Sequence, residues 1–204
     1  ITGVTTIPAD SGNNITLGNT SNNFQTAVRI TSGNNATLVD AGAIILGAST
    51  VSGTYAVTAT AGGDITDSGV LTITGAATFT VANGQSIYLD GSNTFSNTVS
   101  FSSGGTLANV TISDSNDFDL AALTLSGNLI ATSTGGSITD SGALGISGTS
   151  SFTTSASNKD ITFDTTNNAF TGAVTLNTSG STGHAEVDGG TTQLDIAAST
   201  VGGN

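Results

Sequence analysis

The stretch Ile65-Thr-Asp-Ser-Gly69 returns as Ile138-Thr-Asp-Ser-Gly142, and the segments after it return in the same order. Val70-Leu-Thr-Ile-Thr-Gly75 becomes Ala143-Leu-Gly-Ile-Ser-Gly148, Thr78-Phe-Thr80 becomes Ser151-Phe-Thr153, and Ile87-Tyr-Leu89 becomes Ile161-Thr-Phe163. From Ile65 to Ile138 the step is 73, from Ile15 to Ile87 it is 72, and from Ile87 to Ile161 it is 74. A period near 73 with single-position slips limits the fold more than any other feature. Units of a repeat array cannot bury their apolar faces alone and must stack on their neighbours. The copies divide the chain into a repeat tail, 1–14, a copy at 15–86, a second at 87–160 and a partial third at 161–204, all within one continuous segment.

Inside each copy, apolar residues alternate with Thr or Ser. Leu71-Thr-Ile73, Val99-Ser-Phe101, Leu123-Thr-Leu125 and Val174-Thr-Leu176 are clear cases. A period of two is the mark of a strand with one buried face. Gly, Asn, Asp and Ser clusters separate these runs, as at Ser32-Gly-Asn-Asn35, Ala82-Asn-Gly84 and Thr134-Gly-Gly136, and they turn the chain sharply. Lys and Arg together number only two, and Thr and Val favour strands, so helix is not expected anywhere. Low charge and 28 glycines would suit a disordered chain, but 36% hydrophobic residues in ordered alternation oppose that reading.

Eight or nine strands per copy, taken three to a coil, predict a right-handed parallel β-helix (solenoid) with about three coils per ~73-residue repeat. An antiparallel β-sandwich array and a β-roll are the alternatives, but sandwich domains run to about 100 residues. Asn at the corners is expected to stack into hydrogen-bonded ladders between coils. Phe24, Phe95 and Phe170 are expected at equivalent interior sites, three coils apart and pointing the same way.

The charge is −12, from 14 acidic residues against Arg29 and Lys159. Phosphate backbones need Lys and Arg, so no nucleic acid is expected as a partner. The same sign disfavours anionic membranes. No apolar run is long enough to insert in a bilayer. Without cysteine there is neither a disulfide nor a Cys-based metal site. The chain starts and stops inside its own repeat and shows no signal peptide, which reads as a slice of a longer polypeptide.

The repeat blocks also carry a resemblance. Ile15-Thr-Leu17 with Asn22-Asn-Phe24 and Ala27-Val28, then Ala36-Thr-Leu38 with Asp40, then Ile45-Leu-Gly-Ala-Ser-Thr-Val-Ser-Gly53 and Gly63-Asp-Ile-Thr-Asp-Ser-Gly69 resemble the repeats of filamentous haemagglutinin-like exoproteins of Gram-negative bacteria. The resemblance covers essentially the whole chain and is a repeat consensus, not a catalytic motif. It implies a right-handed β-helix, export by two-partner secretion, an extracellular or cell-surface location, and service as an adhesin or surface fibre that takes part in biofilm. His184-Ala-Glu-Val-Asp188 departs from the repeat.

No catalytic, cofactor-binding or metal-binding residue is assigned, and no enzyme activity is expected. A lyase of this fold needs bases beside its acids, and the only two, Arg29 and Lys159, stand far apart in the sequence. A hydrolase needs two carboxylates at a working separation. Asp114, Asp117 and Asp119 form the one dense acidic cluster, with Asp64 and Asp67 next, and they read as solvated turn residues. His184, beside Glu186 and Asp188, reads as a loop residue rather than part of a triad. Calcium is the nearest cofactor candidate, since Asp and Asn turns are hard ligands, but the Gly-Gly-x-Gly-x-Asp nonapeptide is absent. The Thr-x-Thr runs resemble ice-binding solenoid faces, yet Thr72 is matched by Gly145 in the next copy. Five sequons, at Asn14, Asn19, Asn35, Asn109 and Asn177, arise by chance in so Asn- and Thr-rich a chain.

These residues lead to a structural shaft segment of a secreted bacterial fibre or filamentous adhesin. The alternatives are a carbohydrate-binding or carbohydrate-active β-helix protein and a phage-type tail fibre. The expected partners are neighbouring repeats, or identical subunits stacked end to end in a salt-indifferent filament, with a glycan or host-surface ligand left open.

Overall fold

Two nine-stranded stacks of parallel strands face each other across one apolar interior, in a computed structural model that describes all of residues 1–204. The front stack runs Thr5–Pro8, Val28–Ser32, Ile44–Leu46, Ile65–Asp67, Ile87–Phe95, Val110–Asp114, Leu129–Ser133, Ser150–Ser157, Val174–Ser179. The back stack runs Ile15–Leu17, Ala36–Asp40, Tyr55–Ala59, Ala77–Val81, Val99–Ser103, Phe118–Leu120, Ile138–Asp140, Ile161–Phe163, Ala185–Val187. The chain visits front and back alternately, so it is a β-solenoid without helices, and about eight turns separate its first strand from its last. At about 4.8 Å per turn the rod is about 38 Å long.

The alternation in sequence is why these segments are strands. In Ala77–Val81 the pattern is buried, exposed, buried, half-buried, buried, with Ala77, Phe79 and Val81 inside and Thr78 and Thr80 outside. Forty-one buried apolar residues form one continuous cluster from Ile15 to Leu176. Several of their rings meet edge to face, Phe79 with Tyr55 at 6.0 Å and with Phe95 at 6.1 Å, and Phe152 with Phe170 at 6.1 Å, while Phe79 and Phe101 stack. Every strand pair is parallel, as in Phe79 stacked between Val57 and Phe101, which rules out the antiparallel sandwich.

Two short stacks close the sides. Ser49–Val51 and Leu71–Ile73 lie on the near edge, where the chain passes from front to back, and the end of Ile87–Phe95 joins them. Leu123–Leu125, Leu144–Ile146 and Ala169–Phe170 lie on the far edge.

The turns are shorter than the sequence suggests. The ladder Ile44, Ile65, Ile87, Val110, Leu129, Ser150, Val174 advances by about 22 residues per turn. Ile15 stacks with Ala36, Tyr55 and Ala77 on the back, three turns, but its repeat partner Ile87 lies half a turn further, on the front. Nine strands do fall in each full copy, yet they wind three and a half turns rather than three, because a strand such as Ile87–Phe95 spans part of a face and an edge. Each copy is therefore the previous one rotated by half a turn and advanced about 17 Å.

Two expectations change with this register. Phe24, Phe95 and Phe170 are all interior, at 4%, 1% and 0% exposure, but they do not point the same way. Phe95 lies on the near edge, whereas Phe24 and Phe170 lie between a back strand and the next front strand, on the far edge. The stretch His184 to Asp188 is no departure from the coil, because Ala185–Val187 pairs in register with Ile161–Phe163.

Candidate functional site

The polar chemistry of this chain sits between turns rather than in a cleft. At the front corner, over four successive turns, the residue preceding a strand accepts the backbone N–H of its counterpart one turn on. Ser86 N–H donates to Asp64 at 2.7 Å, Asn109 N–H to the Ser86 hydroxyl at 3.3 Å, Asn128 N–H to Asn109 at 2.8 Å and Thr149 N–H to Asn128 at 2.9 Å. The back corner repeats the device from Asn14 to Asn35 to Thr54, and again from Asp117 to Ser137 to Asp160 to His184. The expected Asn ladders are thus present, mixed with Ser and Asp. Each bond satisfies a strand-start N–H and is worth about 1 kcal/mol.

An inner ladder is built from carboxylates and amides. Asn93, fully buried, donates from Nδ2 to Asp67 at 2.6 Å and accepts the Leu71 N–H on Oδ1 at 2.8 Å. One repeat later Asn168 donates to Asp140 at 2.6 Å and accepts the Leu144 N–H at 2.7 Å. Asp40 accepts the Phe24 N–H at 2.6 Å, and its equivalent Asp114 accepts the Phe95 N–H at 3.2 Å. The half-turn screw places the Asp67–Asn93–Asp114 set on the near edge and Asp140–Asn168 on the far edge.

Burial shapes the acidity of this ladder. Asp114 is fully buried, and Oδ2 has no hydrogen-bond partner. Burial raises its carboxyl to about 6 against the lowering effect of the Phe95, Asn116 and Ser115 N–H groups, with Asp117 adding repulsion. Burial also raises Asp67, although Asn93 and Gly91 donate to it, and Asp90 pushes in the same direction. The Tyr55 hydroxyl is buried with no well-formed hydrogen bond, and burial raises it well above the usual phenol range against the lowering effect of the nearby Ser49.

The acidic residues singled out in the sequence are not brought together as a catalytic pair, but they are not all solvated turn residues either, because Asp114 is fully buried and Asp67 half-buried. Asp114 points inward, Asp117 caps the corner over Ser137, and Asp119 faces out and accepts the Thr139 and Ser141 hydroxyls. Asp64 and Asp67 serve different ladders. Lys159 pairs with Asp117 at 3.5 Å on the surface, and Arg29 is exposed. His184 is exposed and continues the back corner: Nδ1 accepts the Asn204 N–H at 2.8 Å. Glu186 is exposed, and Asp188 closes a local turn onto the Gly190 N–H at 2.6 Å. No group of three His, Cys, Asp or Glu side chains stands together as a metal site.

One concavity lies beside them. A shallow groove of about 280 Å³ is lined by Ser96, Asn97, Asp117, Phe118, Asp119 and Thr139. It forms where the register steps, because Val99 stacks on Leu120 rather than on Phe118. Its rim is hydroxyls, an amide and two carboxylates, and none of its lining residues is basic.

Sequence reasoning missed the role of Asn93 and Asn168, although a signal was present. Asn22, Asn93 and Asn168 each stand two positions before the recurring Phe. An amide kept at that spacing beside an apolar anchor marks a buried polar group with fixed partners. No curated protein and no solved structure matches the chain. A family model does match, over residues 1–31, 33–102 and 107–177, and each of the two longer matches spans close to one period of the copies. The chain belongs to the family of repeats of unknown function DUF5649.

Proposed function

We propose that this chain is a shaft segment of a secreted bacterial surface fibre or filamentous adhesin, and that its work is mechanical: length, stiffness and display. A repeat β-solenoid fits a structural role. The observation that carries the reading is the inner ladder. Successive copies keep both the apolar anchors and the Asx side chains that tie one turn to the next, as in Asp67–Asn93 and Asp140–Asn168. What they retain is rigidity.

Periodicity supports the same reading. A unit that maps onto its neighbour by half a turn and about 17 Å can be added any number of times without a change of register. Further repeats, or identical copies stacked end to end, would lengthen the rod in this way. The surface location is tested by labelling intact cells of the source organism with antibody raised against this chain. Staining that is lost when the cells are shaved with protease is the expected result. Staining only after lysis would overturn the reading.

A further inference from the structure

The outward side chains of the longer strands form two neutral patches. On the back, Thr37-x-Val39, Ala56-x-Thr58, Thr78-x-Thr80 and Ser100-x-Ser102 stack in register over four successive turns. On the front, Thr111-x-Ser113, Ile130-x-Thr132, Ser151-x-Thr153 and Thr175-x-Asn177 do the same. Repeat-equivalent strands of consecutive copies build the two patches, and the half-turn screw puts them on opposite faces.

Neither patch contains an ionisable side chain, in a chain that carries 14 acidic residues against two basic ones. The outward carboxylates lie elsewhere: Asp64, Asp117 and Asp160 on the corners, Asp90 and Asp119 beyond the patch limits. The patches are already organised. Every inward neighbour but the half-buried Ser103 is buried, and the Thr80 and Ser102 hydroxyls bond each other at 2.9 Å across adjacent turns. Methyl and hydroxyl groups mix evenly, and Ile130 stands 45% exposed within the front patch.

We propose that these two patches are lateral self-association surfaces, each taking the like patch of a second copy of this chain. The charge distribution selects that occupant. Two rods of the same strong negative sign repel along their corners and ends, and patch-to-patch contact is a broad approach, spanning four turns, that brings no like charges together. Each patch spans about 300 Å², well below the ~800 Å² per partner of a stable interface. A single contact is therefore weak. In a long array the same patch recurs on one face every second copy, about 34 Å apart, so many weak contacts add along the rod. Alternation between faces lets each rod bind a neighbour on both sides. Salt strengthens the contact, because it screens the repulsion outside the patches.

The cysteine-free chain gives a direct test that does not depend on where the protein resides. Thr78→Cys marks the back patch, Ile130→Cys the front, and Ser181→Cys an exposed turn outside both. Each purified full chain is oxidised under identical mild conditions, and the rate of disulfide-linked dimer formation is read on non-reducing gels. The patch variants are expected to cross-link at least tenfold faster than Ser181→Cys, and faster still at high salt. Adding Val39→Glu, in the same patch but two turns from Thr78→Cys, should remove the difference by like-charge repulsion, with the strand content checked by circular dichroism and the intrinsic thiol reactivity by alkylation rate. Equal rates for the patch and turn cysteines overturn the proposal, as does cross-linking that is unchanged by the added glutamate.

Discussion

Phe24 and Phe95 hold the same place in the sequence repeat and lie on opposite edges of the solenoid. Each follows a buried or half-buried Asn by two positions, and each has its N–H taken by a buried Asp one turn on. The environments are alike and the directions opposed, because a copy winds three and a half turns. Anything the repeat displays outward is therefore presented alternately to the two faces.

That register can be read covalently. Thr78 stacks on Ser100, whereas a coil of about 24 residues would put Thr78 on Ser102. Adjacent strands lie about 4.8 Å apart, within the Cα separation a disulfide spans. In dilute oxidised protein, Thr78→Cys with Ser100→Cys is expected to form an intramolecular disulfide, seen by mass spectrometry. Thr78→Cys with Ser102→Cys is expected to remain reduced far longer.

The aromatic anchors of the two copies should respond alike. Phe95 packs edge-on against Phe79 at 6.1 Å, and Phe170 against Phe152 at the same distance. Phe95→Ala and Phe170→Ala should each cost about 3–5 kcal/mol through lost burial and the cavity left behind. The sites are remote in the rod, so the double variant should lose roughly the sum. Phe95→Asp would bury an unpaired charge and open the local turns outright. Urea unfolding followed by circular dichroism checks the series.

Asn93 is the test of the inner ladder. Replacing it with Ala leaves the buried Leu71 N–H without an acceptor and takes a donor from Asp67. The expected loss is about 2–4 kcal/mol. The Leu71 amide should also exchange with deuterium much faster, while Leu144, held by Asn168, keeps its protection.

The architecture was legible in Leu71-Thr-Ile73 and its kin, because alternation fixes which side chains face inward and the long repeat demands stacking. The winding was not, since a strand count does not say which strands bend round an edge, as Ile87–Phe95 does. The outward arrays were hidden for a related reason. Comparing Thr72 with Gly145 tests repeat partners, but Thr72 actually stacks on Thr50 and Thr94, one turn either way. Spatial neighbours lie about one turn apart in sequence, and the repeat compares positions three and a half turns apart. Asp67 and Asn93 escaped notice in the same way, because they bond across a turn.

Asp114 makes stability depend on pH in an unusual direction. Its carboxyl is raised to about 6 in the folded chain, against 3.8 for the free group. Above pH 6 both folded and unfolded chains carry the charge, and the fold bears the full cost of burying it. Between pH 6 and 4 the folded chain takes up a proton that the unfolded chain does not, so stability rises on acidification through this window. Below 3.8 both states are protonated and the gain is complete. A difference of this size corresponds to at most about 3 kcal/mol, and to less where solvent screens the group. Asp67, raised by burial and by Asp90, adds to the effect with the same sign. Asp114→Asn keeps an oxygen for the Phe95 N–H and removes the charge. The variant should be more stable than the parent at pH 7.5, by about 1–2 kcal/mol, and should lose most of that advantage between pH 6 and 4. Urea midpoints of both proteins from pH 4 to 8 check the prediction. A parent that weakens steadily as pH falls from 6 to 4, with Asp114→Asn running parallel to it, would show that the buried carboxyl does not control the fold's response to acid.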